Sequence, residues 1–83
     1  MIKEIELNNV IIKVATKNAD GEECIITLTM EAEGYYIIDA INYCKVIGLT
    51  PFRVYVYEST SILPDVYMIQ HNGAIEYLED YYD

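Results

Sequence analysis

The chain has no tryptophan, one phenylalanine, one histidine, two cysteines and only five basic residues. Each scarcity closes a class of function. Cys24 and Cys44 stand twenty residues apart with His71 far downstream, short of the four closely paired ligands of a structural zinc site. Both thiols sit among apolar neighbours and read as small buried hydrophobes in a reducing compartment rather than as a disulfide. No uncharged apolar run reaches the ~18 residues of a membrane-spanning helix. The opening Met1-Ile2-Lys3-Glu4-Ile5-Glu6 is acidic and reads as no hydrophobic signal region, so a cytoplasmic protein is expected. Five bases against 14 acids, a net charge of −9, weigh against direct contact with nucleic acid or an anionic membrane.

What is present is apolar residue in quantity: 53% of 83 residues, enough for one core without metal or disulfide and too much for disorder. A single domain over residues 1–83 is expected, with 79–83 as a possible frayed acidic tail. Val10, Ile12, Val14 and Thr16 alternate with Lys13 and Lys17, and Cys24, Ile26, Leu28 and Met30 alternate with Thr27 and Thr29. Asn18-Ala19-Asp20-Gly21 between them is a turn signal, so residues 10–30 form a β-hairpin. Residues 2–7 either extend its first strand or make a separate short one turning at Asn8-Asn9.

From Glu31 the period changes to that of a helix: Ile37, Ala40, Ile41, Cys44 and Ile47 share a face, with Asp39 and Asn42 on the wet side. A helix over 31–47 follows, with Thr29 as a cap, Glu31 and Glu33 at its positive end, Gly34 weakening its first turn, and Gly48 and Pro51 as stops. Residues 52–58 alternate Phe52, Val54 and Val56 against Arg53, Tyr55 and Tyr57. After a loop over 59–65, strands 66–71 and 74–78 flank Asn72-Gly73, a two-residue turn whose positions both need positive φ. The order is β-hairpin, helix, strand, β-hairpin. It predicts an α+β fold: an antiparallel sheet of four to five strands with one helix on one face.

Nothing in the chain assembles a catalytic set. No serine or cysteine has a histidine near it in sequence, phosphate-binding glycine loops are absent, and the acidic turn at Asp20 lacks the alternating ligands of a calcium loop. A non-enzyme without cofactor is expected. The informative features are charge and tyrosine. Residues 1–17 sum to +1 and residues 18–83 to −10, and no base follows Arg53. Nine tyrosines supply apolar area with a polar tip, a composition suited to interfaces.

Carboxylates interleaved with tyrosines can dock on a basic surface, standing in for phosphates while the rings stack on arginine. The candidate partner-binding residues are Glu58, Asp65, Glu76, Glu79 and Asp80, with Tyr55, Tyr57 and Tyr77 as aromatic anchors. The expected partner is a basic, nucleic-acid-processing protein that the chain inhibits by mimicking DNA. In size, charge and lack of catalytic residues the chain is similar in type to phage-encoded inhibitors such as uracil-DNA glycosylase inhibitors and anti-CRISPR proteins, a likeness that no residue motif carries. Two rivals stay open: an immunity protein or antitoxin against a basic nuclease, and a homo-oligomer, such as a dimer, joined through strand edges. A single-strand nucleic-acid sheet stacking bases on Tyr55 and Tyr57 would have to overcome the net charge.

Overall fold

Two glycine-ended loops set the frame of the sheet. The computed structural model describes residues 9–32, 35–58 and 62–79. The first alternating pair closes as β1 (Asn9–Lys17) and β2 (Glu23–Glu31), in antiparallel register from Asn9↔Glu31 to Lys17↔Glu23. Its loop is fixed by Asn18 N–H donating to the Glu22 carbonyl (2.9 Å) and Gly21 N–H to the Asn18 carbonyl (3.0 Å). The Asn18 side-chain oxygen accepts from the amides of Asp20 and Glu22. Gly21 closes the loop at φ 82°, where a side chain would be strained.

β4 (Asp65–Ile69) and β5 (Ile75–Tyr77) use the same device. Gln70 N–H donates to the Ala74 carbonyl and Gly73 N–H to the Gln70 carbonyl, both at 2.8 Å, with Gly73 at φ 91°. The expected two-residue Asn72-Gly73 turn is thus a three-residue loop, His71-Asn72-Gly73. The asparagine explains the difference: its Oδ1 accepts from Ala74 N–H and holds the wider loop. The strands are also shorter than the 66–71 and 74–78 read from the sequence.

β3 (Thr50–Tyr57) lies between the hairpins, giving one antiparallel sheet in the order β2-β1-β3-β4-β5. The α+β architecture of one helix on one face of a five-stranded antiparallel sheet is therefore the fold. One side of the sheet carries Val10, Ile12 and Val14 of β1 against Val54 and Val56 of β3, all buried. Ile26, Leu28 and Met30 of β2 pack onto this cluster. Thr16, the one buried polar residue among those described, donates its hydroxyl to the Cys24 carbonyl at 3.0 Å.

The alternation of β3 breaks at its start. The register passes from Ala15↔Arg53 to Thr16↔Pro51, so Phe52 is the extra residue of a bulge. Phe52 therefore does not continue the buried row of Val54 and Val56, as its spacing predicts; Pro51 is buried in its place. Proline has no N–H to give a ladder, and a bulge at a strand end is where it is tolerated.

The helix α1 (Tyr36–Val46) is shorter than expected. Thr29 pairs with Ile11 and Glu31 with Asn9 inside the β1–β2 ladder, so neither caps or begins a helix. A nine-residue ladder with a half-buried alternating face outweighs the helical spacing that starts at Ile37. The first-turn acid is Asp39, and Glu33 and Gly34 lie outside the described residues. Ala40, Ile41 and Cys44 are buried against the sheet, while Ile47, expected on that face, is the C-cap and half exposed. The end is a glycine-centred stop: Leu49 N–H donates to the Cys44 carbonyl and Gly48 N–H to that of Lys45, each at 3.0 Å, with Gly48 at φ 91°. α1 packs on β1, β2 and β3. Among the described residues no helix is long and apolar enough to cross a membrane. The expectations for residues 2–7 and for the tail beyond Glu79 lie outside the described residues.

Candidate functional site

α1 packs chiefly on β1–β3, and on the helix-bearing side of β4 and β5 only its start comes near, where Tyr35, Tyr36, Ile37 and Ile38 line a hollow with Ile75. Register puts Asp65 beside Val56, Tyr67 beside Val54, and Tyr77 and Ile75 next to Tyr67 and Ile69. The Tyr67 and Tyr77 rings stack at 5.2 Å between centroids, tilted by 46°. The Tyr77 hydroxyl donates to Asp65 Oδ1 at 3.3 Å. Glu58, just past β3, and Glu79, just past β5, belong to the same neighbourhood by their electrostatic reach. Desolvation first, then the Asp65 carboxylate and, more weakly, Tyr36, Tyr77 and Glu58, push the Tyr67 phenol above its ordinary value. Tyr77 is raised chiefly by the Asp65 charge, then by desolvation, the hydrogen bond to Asp65, and Glu79. Negative potential thus gathers on this end of the sheet, around a tyrosine pair that is part buried and part open.

Of the residues singled out from the sequence, the structure brings together Glu58, Asp65, Glu79 and Tyr77. It sends Tyr55, Tyr57 and Glu76 to the opposite, helix-free face. There Tyr57 pairs with Ile11 and Tyr55 with Lys13, while Arg53 stands opposite Ala15 and Met68. The Lys13 ammonium lies 5.3 Å from the Tyr57 ring centroid, so that ring meets a cation. Glu76, across from Met68, accepts from Gln70 Nε2 at 2.7 Å. Asp80 lies outside the described residues.

Tyr67 and Tyr36 complete the acidic end but were not among the sequence-derived anchors. A signal for Tyr67 exists. A two-residue turn would set Tyr67 opposite Leu78, whereas the three-residue loop centred on Asn72 sets it opposite Tyr77. Reading the first loop, Ala19-Asp20-Gly21, as a template for the second would have found the pair.

Other chemistry has little to build on. Cys44 is fully buried and burial raises its thiol pKa; Cys24 is half-buried and both thiols are free. Among the described residues no three of His, Cys, Asp and Glu converge to hold a metal ion. Comparison with protein-family models, curated proteins and solved structures finds no match to this chain.

Proposed function

We infer that the chain is a cytoplasmic, non-enzymatic binding protein that docks on a basic surface of a nucleic-acid-processing protein and blocks it. The observation that carries this reading is the grouping of Glu58, Asp65 and Glu79 around the Tyr67–Tyr77 pair on the half of the sheet that α1 leaves largely open. Clustered carboxylates give long-range attraction to a cationic cleft, and exposed ring edges give apolar area and stacking for arginine once contact is made. Tyr77 is 48% exposed and Ile75 38% exposed, so the carboxylates border an apolar surface rather than a purely solvated rim.

The test is a tagged capture from cell lysate at low salt and at about 0.5 M salt, where screening shortens to a few ångström, followed by a nucleic-acid-binding assay on what is captured. A basic nucleic-acid enzyme held at low salt, released at high salt and inhibited in the assay supports the reading. The double variant Glu58→Lys/Glu79→Lys should weaken that complex by about tenfold or more, mainly through slower association. Glu76→Lys, on the opposite face, should leave it within about twofold, as expected for a charge away from the contact. Equal loss from both variants would mean that net charge alone is responsible.

A second reading, a homo-oligomer, is favoured by one feature: β2 is a nine-residue edge strand in the described sheet, with Ile25 56% exposed. Light scattering that reports a monomer at micromolar concentration would remove it.

A further inference from the structure

A cavity lies at the other end of the strands from the acidic group, and two lysines are among the residues that line it. It spans about 900 Å³ between the C-terminus of α1, the start of β3 and the β4–β5 loop. Phe52, Met68 and Ile69, all half-buried, contribute apolar wall, and Lys17, Lys45 and His71, all exposed, line it as well. Among the described residues no carboxylate lines it. In a chain with 14 acids and five bases, two of the lysines line this cavity.

Three features of the fold make this cavity rather than a random hollow. The bulge at Phe52 removes that ring from the row of buried residues and gives it to the cavity. The Lys17 ammonium lies 5.6 Å from the Phe52 ring centroid, so a positive charge stands over an aromatic surface. The glycine-centred stop of α1 spends the Cys44 and Lys45 carbonyls on the amides of Leu49 and Gly48, which leaves the Lys45 ammonium, exposed in the last turn, as the prominent charge there. Among the described residues neither Lys17 nor Lys45 is in an ion pair.

We propose that this cavity is a binding site for a small aromatic anion of mononucleotide size, with the ring against Phe52 and Met68 and the phosphate or comparable anionic group held by Lys17 and Lys45. The volume is in the range of pockets that take ligands of that size, and an apolar wall with a few convergent charged groups is their usual lining. Lysine ammonium groups serve phosphate as mobile point charges, without the fixed fork of arginine, which suits an open cleft.

The experiment is a backbone-amide NMR titration with two probes, 1-naphthyl phosphate and adenosine 5′-monophosphate, against 1-naphthol, adenosine and inorganic phosphate. The expected result is saturable movement of the Phe52, Met68, Ile69 and His71 amides by the two aromatic phosphates, with affinity of about 1 mM or tighter. The uncharged analogues and inorganic phosphate should bind several-fold more weakly, because each supplies only half of the contacts. Lys17→Gln/Lys45→Gln should lower the affinity by about tenfold, and Lys13→Gln, on the helix-free face, should not change it. Absence of movement with both aromatic phosphates, equal affinity for 1-naphthol, or an unchanged affinity in the double variant would overturn the site. If the double variant loses its dispersed spectrum, Lys45→Gln alone serves, since that exposed side chain carries no contact of the core.

Discussion

Tyr77 and Asp65 show how one contact can be read through a proton. The Tyr77 hydroxyl donates to Asp65 Oδ1, and the Asp65 charge is the largest cause of its raised pKa. A phenol whose folded pKa lies above its unfolded value of about 10 keeps its proton longer in the folded state. The stability this contributes is fully present below that unfolded value and is lost as pH rises through the folded one. Tyr67 acts in the same direction, with desolvation as its leading cause. The protein should therefore lose stability on the alkaline side of pH 10, faster than unshifted tyrosines would dictate. Asp65→Asn should bring the Tyr77 titration back toward the ordinary tyrosine value, while Tyr67, dominated by burial, should keep most of its displacement. Tyrosine ring-carbon shifts followed through an alkaline NMR titration would show both. A Tyr77 curve unmoved by Asp65→Asn would mean that the carboxylate does not face the phenol in solution.

Three glycines do the same work at three element ends, and their cost can be isolated. Gly21, Gly48 and Gly73 have φ of 82°, 91° and 91°, and an added Cβ at each would meet nothing within 4 Å. Substitution by alanine therefore tests backbone conformation without any clash. Each of Gly21→Ala, Gly48→Ala and Gly73→Ala should cost about 1–2 kcal/mol in urea unfolding at an unchanged m value, and Gly48→Asn should cost less than Gly48→Ala. A cost near zero at Gly73 would mean that the loop readily shifts to the two-residue form. These punctuation residues are also why the elements were so readable. Hairpin one, the helix stop and hairpin two follow from Asn18-Ala19-Asp20-Gly21, Gly48 and Asn72-Gly73, because glycine at positive φ is a local requirement. What could not be read locally was decided by tertiary pairing. Thr29 and Glu31 look like helix-start residues until β1 offers them partners, and Phe52 looks like core until Thr16 takes Pro51 as its neighbour.

At the scale of the whole molecule, charge is sorted unevenly along the strands. Among the described residues Glu58, Asp65 and Glu79 stand at one end, while at the other Lys17 and Lys45 line the cavity and Asp20, Glu22 and Glu23 close the first hairpin. The acidic end was legible as composition, since no base follows Arg53, but its membership was not: facing depends on strand parity and loop length, which separate Tyr77 from Tyr55 and Tyr57. Sorting of this kind has an energetic consequence. A folded chain of net charge −9 holds its carboxylates closer together than the unfolded chain does, so self-repulsion opposes folding and salt relieves it. The urea midpoint should rise between 10 mM and 0.3 M sodium chloride, as the screening length falls from about 30 Å to below 8 Å. If the repulsion is concentrated at the acidic end, Glu58→Lys/Glu79→Lys should stabilise the protein at 10 mM salt by about 1 kcal/mol and flatten its salt dependence. Glu22→Lys, in the first loop and far from that end, should do less, although its carboxylate also accepts from the Asn18 side chain. A stabilising double variant that has lost its partner would show the end kept acidic at the expense of stability, as a binding surface is. Without stabilisation, the carboxylates would not be repelling one another, and the docking reading would lose its physical basis.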